Sequence, residues 1–74
     1  MKQRHKKHIR DSANAELWWI GVDRNTKFSD LRKEHIKKVK TCADEHRFQN
    51  YPDSNKSREQ NFFKWLLNRA NMKV

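Results

Sequence analysis

Side chains able to ligate a metal or move a proton gather in the middle of this 74-residue chain: Glu34, His35, Cys42, Glu45 and His46. If the stretch is helical, His35, Cys42 and His46 share one face. Cys42 and His46 then have the i, i+4 spacing that can hold one ion, and His5 and His8 could add a ligand from the N-terminal segment. Structural zinc sites, however, take four ligands and usually draw their cysteines in pairs, whereas Cys42 is alone. Histidines at the edge of a core, with the imidazole tip in water, explain the same spacing, so no metal is expected. Glu34 beside His35 and Glu45 beside His46 are chain neighbours. A helix turns neighbours in different directions, so neither pair makes an acid–base couple. The sequence contains no glycine-rich phosphate loop, no defensible Ser/His/Asp order and no metallohydrolase motif. A chain this short also has little room for a water-excluding pocket. Neither catalysis nor a cofactor is expected.

Cations supply the stronger signal. The chain carries 18 Lys and Arg against 9 Asp and Glu, a formal net charge of +9, and the charge is laid out in blocks. Residues 1–10 hold five Lys/Arg and no acid; residues 11–23 hold three acids and no Lys/Arg; residues 24–40 return to seven bases against two acids. Such layouts suit an anionic partner, most often nucleic acid. On a helix through residues 30–48, Lys33, Lys37, Lys40 and Arg47 lie opposite Leu31, Val39 and Cys42, forming an outward strip. Each phosphate such a strip neutralises releases counterions. A solvated face kept soluble by lysine is the ordinary alternative. Arg4, Lys6, Lys7 and Arg10 reinforce the binding reading, because fully extended the first ten residues would span roughly 33 Å along a groove. Basic arms on three-helix DNA-binding domains work in this manner. An anionic membrane surface or an acidic protein would also attract such charge.

The aromatic residues suggest a second kind of partner surface. Phe62, Trp65 and Met72 fall well to one side of Leu67 on a helix through residues 58–70, giving an apolar arc wider than one neighbouring helix needs. Either that helix is central, or an aromatic patch with Arg58 and Arg69 beside it is left for a partner, a frequent interface composition. Core burial is the first expectation in so small a protein. Trp18 and Trp19 are adjacent and cannot point the same way, so at least one should lie at the edge of the core.

These side chains need helices to hold them. One Gly and one Pro in the chain favour helices joined by short polar turns. Residues 1–10 are expected as a disordered basic arm, and residues 11–74 as one all-α domain of about three helices. Asp11 and Ser12 offer N-caps for a short helix from Ala13 to about Ile20, stopped by Gly21, although the run Leu17–Val22 is also β-prone. Asp23–Lys27 reads as a turn. Ser29 should cap a second helix, Asp30 to Phe48, with Leu31, His35, Val39, Cys42 and His46 inward and Pro52 ending it. Ser57 and Gln60 match a capping box opening a third helix, Arg58 to about Ala70, whose inward stripe is Phe63, Leu66, Leu67 and Ala70.

A soluble intracellular protein is expected. The single cysteine forms no internal disulfide, and Leu17–Val22 is too short for a signal-peptide core or a membrane span. The cytoplasm is the expected compartment, or the nucleoid or nucleus if DNA is bound, in a virus-infected host as readily as elsewhere. The leading expectation is a basic accessory or regulatory protein that binds nucleic acid, DNA ahead of RNA, through phosphates. The rival is a small interaction module, such as a viral inhibitor, docking Trp18, Trp19, Phe62, Trp65 and Arg69 on an acidic protein. A structural component of a large ribonucleoprotein would have a similar sequence, and the wide arc of the third helix could close a homodimer.

Overall fold

A computed structural model describes residues 2–49 and 56–73, with side chains from His5 onward. Helix α1 runs Lys2–Ile20 as one piece. The expected disordered arm is therefore corrected: residues 2–10 are helical turns continuous with the segment that follows. Lys, Gln and Arg are good helix formers, and no Gly or Pro precedes Gly21. Ile9, Ala13, Leu17 and Ile20 keep helical spacing straight through Asp11 and Ser12, which sit exposed within the helix instead of capping it. Leu17–Ile20 is helix, not strand.

Gly21 ends α1 as expected. With φ at 95°, its N–H donates to the Trp18 carbonyl at 3.0 Å, while the Val22 N–H donates to Leu17 at 3.0 Å. That pair of bonds is a Schellman motif. The Asp23 carboxylate then organises the turn, accepting from the Asn25 N–H at 2.8 Å and the Thr26 hydroxyl at 3.1 Å.

Helix α2, Lys33–Glu45, is shorter at both ends than its sequence suggests. Ser29 is not its cap; it lies within a separate 3-10 turn, Phe28–Asp30. The N-cap is Arg32, whose N–H donates to His35 Nδ1 at 3.2 Å. Pro52 does not end the helix either. Arg47 takes a left-handed φ of 52°, its N–H donates to Asp44 at 3.0 Å, and the Phe48 N–H donates to Ala43 at 2.9 Å. Helix α2 thus closes with a second Schellman motif, built on a non-glycine residue. Pro52 and Tyr51 lie outside the described residues.

Helix α3 spans Arg58–Ala70, as the sequence indicates, with the Gln60 N–H donating to the Ser57 hydroxyl at 3.1 Å. The three helices form a small all-α bundle around one core: Ala13, Leu17 and Ile20 from α1; Val39, Cys42 and Ala43 from α2; Phe62, Phe63, Leu66 and Ala70 from α3. Phe28, Leu31, Phe48, Trp65 and Leu67 seal its margins. Helices α1 and α2 run antiparallel, since Lys38 meets Trp19 while His46 meets Glu16. Helix α3 packs on both, and α1 and α2 also pack directly on each other.

Candidate nucleic-acid interface

Lys33, Lys37 and Lys40 follow one another at steps of four and three along α2, which returns each to the same side of the helix. All are exposed, and among the described residues no carboxylate pairs with them. Asp44 continues that side but is engaged by Arg58, whose guanidinium also donates to the Phe48 carbonyl at 3.1 Å. Lys38 turns the other way, with its Nζ over the Trp19 ring at 5.2 Å and donating to the Trp19 carbonyl at 3.2 Å. The α2 lysines are thus sorted into a structural cation and three that face solvent. Arg47 is exposed as well, but it projects from the left-handed turn beyond the helix.

Lys6 and Lys7 are exposed on α1, while Arg10 is half-buried and 3.5 Å from Asp11. The Arg4 side chain lies outside the described ones. Antiparallel packing carries the basic turns of α1 past the C-terminal end of α2, the end opposite Lys33. The structure therefore brings Lys33, Lys37 and Lys40 together and Lys6 with Lys7, but as two cationic surfaces at different ends of the bundle. The acids of residues 11–23 are all engaged within the protein: Asp11 with Arg10, Glu16 with His46, and Asp23 in its turn.

The aromatic patch considered on α3 is interior. Phe62 is fully buried and cannot meet a partner. Trp65 is half-buried, with ring centroids 5.3 Å from His46, 5.9 Å from Phe48 and 5.4 Å from Phe62. Arg69 covers its outer face at 4.3 Å. The wide arc of α3 is used up because two helices pack on it. Among the described residues the exposed aromatics are instead Trp18 and Trp19, at 82% and 45%.

The prospective metal ligands have other employment. His35 accepts the capping bond of α2, and His46 Nε2 lies 2.6 Å from Glu16 Oε1, joining α2 to α1. Cys42 is buried, and loss of hydration pushes its thiol up to about 11, with the Glu16 and Glu45 carboxylates adding to the rise. Among the described residues, no three or more His, Cys, Asp or Glu side chains converge as a metal site would require. Among them, too, no helix is long and apolar enough to cross a membrane.

Sequence reasoning missed the Glu16–His46 and Asp44–Arg58 links, since each joins residues from different helices. It also missed a cleft between the 3-10 turn and α3, whose signal was an aromatic flanked by lysine in both segments: Lys27-Phe28 and Phe63-Lys64. No family model, no curated protein and no solved structure matches this chain.

Proposed function

We propose that this protein binds nucleic acid as a small accessory or regulatory factor, with DNA the first target to test and RNA the second. The observation that carries this reading is the exposed row Lys33, Lys37 and Lys40, paired with no carboxylate among the described residues, on a chain of net charge +9. Lys6, Lys7 and Arg10 on α1 supply a second set of phosphate contacts. Two cationic surfaces held apart on a rigid bundle suit a long polyanion better than a compact acidic ligand. Contacts of this kind position a protein on a phosphate backbone without reading its sequence.

The test is binding of the full chain to unrelated duplex DNA and duplex RNA, followed by fluorescence anisotropy. Micromolar or tighter affinity is expected at about 50 mM salt, falling by orders of magnitude by about 200 mM. Absence of binding to either duplex at low salt would end the proposal.

One observation favours a second reading. Trp18, 82% exposed on α1, has the character of an anchor for another protein. Under that reading the lysines steer an acidic partner, and Trp18→Ala weakens the complex far more than salt does.

A further inference from the structure

Helix α1 extends beyond the bundle at its N-terminal end. Among its described side chains burial begins only at Ile9, and the core takes its first residue from this helix at Ala13. His5, Lys6, Lys7 and His8 are all exposed. Consecutive residues turn by about 100° on a helix, so these four face four different sides. Among the described residues, nothing covers the helix on any of them. The spacing that sets Ile20, Leu17, Ala13 and Ile9 inward arrives next at Lys6, a cation where a packed helix would place a hydrophobe. Residues 2–8 hold no apolar side chain and no acid, and among the described residues Lys6 and Lys7 pair with no carboxylate. The first acid of the chain, Asp11, lies 3.5 Å from Arg10.

We propose that the projecting turns of α1 enter the major groove of duplex DNA, with the cations that ring them reaching phosphates on both walls. The inference rests on the nucleic-acid reading and narrows it from any polyanion to duplex DNA. The dimensions agree. With its side chains an α-helix is about 10–12 Å across, and residues 2–8 rise about 10 Å along its axis. The B-form major groove is about 12 Å wide and about 8.5 Å deep. The A-form duplex of RNA has a narrow major groove that does not admit such a helix. A helix lying on a membrane needs an apolar face, which residues 2–8 lack. An acidic protein surface would meet one side of the helix, whereas the walls of a groove meet cations on several.

The deciding probe is a duplex whose major groove is filled at unchanged charge. The full chain is titrated at about 50 mM salt with three duplexes of one length. They are a plain DNA, the same DNA carrying glucosylated 5-hydroxymethylcytosine, whose sugars project into the major groove, and an RNA. The plain DNA should bind about tenfold tighter than either of the others. His8→Pro tests the helix itself. It removes no Lys or Arg, breaks the helix before Ile9 and leaves proline at the start of a shortened α1, a position that suits it. The preference for plain DNA should then vanish while the melting temperature holds. Equal affinity for the plain DNA and either of the others would overturn the groove proposal while leaving phosphate binding intact; no binding to any of the three would remove both. A preference that survives His8→Pro, with circular dichroism showing the turns lost, would put another element in the groove and overturn the assignment to α1. Tighter binding to phosphatidylserine vesicles than to plain DNA would overturn it in favour of a membrane surface. If His8→Pro does not fold, the three duplexes and the unaltered chain decide alone.

Discussion

Several side chains of this protein do work that their chemistry alone would not suggest. Cys42 has the residue type of a nucleophile or ligand, yet it is a core hydrophobe whose thiol is held up to about 11 by desolvation. It should resist alkylation in the folded protein and react only on unfolding, which mass spectrometry of the labelled chain would check. The same rise has a consequence for stability. A thiol whose folded pKa exceeds its ordinary value of 9.0 stabilises the fold below pH 9, and that contribution drains away as pH climbs toward 11. Denaturant titrations from pH 8 to 11 should therefore show a decline that is shallower in Cys42→Ala. Trp18 is the reverse case, a large apolar residue contributing almost nothing to the core. Trp18→Ala should change the unfolding free energy by less than about 0.5 kcal/mol, and a larger loss would show that the ring is buried in solution.

The helices show where a sequence can be read and where it misleads. Helix α3 was legible to the residue, because Ser57 offers a cap and the stripe of Phe63, Leu66 and Ala70 is unambiguous. The beginning of α1 was not. A run of cations reads as a disordered arm, but lysine and arginine favour helix, and Ile9 extends the apolar stripe of Ala13 and Leu17 into the basic turns. The end of α2 was hidden for a different reason. Nothing in the residue type of Arg47 announces a left-handed backbone, and Pro52 offered a more obvious stop. Arg47→Gly should accordingly stabilise the protein by about 0.5–1 kcal/mol, relieving the strain of a side chain at positive φ. Gly21→Ala should do the opposite at the end of α1, costing about 1–2 kcal/mol because φ is 95° there, although the added Cβ would meet only the His35 ring at 3.6 Å. Both shifts are measurable by chemical denaturation at constant m-value.

Taken together, the bundle divides labour between its interior and its charge. Aromatic and aliphatic residues from all three helices close the core, and Phe62 and Trp65, candidates for a docking patch by composition, are absorbed into it and its margin because both α1 and α2 pack on α3. Composition could show that cations outnumber acids; it could not show which cations are spent on structure. Lys38 sits over Trp19, Arg69 covers Trp65 and Arg58 bridges to Asp44, whereas Lys33, Lys37 and Lys40, like Lys6, Lys7 and Arg47, face solvent. Nor could the linear charge blocks reveal that the basic turns of α1 and the lysines of α2 occupy different ends of the bundle, since that follows from antiparallel packing.

Attraction between those three solvent-facing lysines and a phosphate backbone is best tested by the salt dependence of binding. Affinity for a duplex DNA is measured across salt concentrations for the unaltered chain and for Lys33→Gln/Lys37→Gln/Lys40→Gln. If each lysine neutralises a phosphate, the slope of log affinity against log salt becomes shallower by about 2–3 in the triple variant. An unchanged slope would contradict the assignment of the α2 row to nucleic acid.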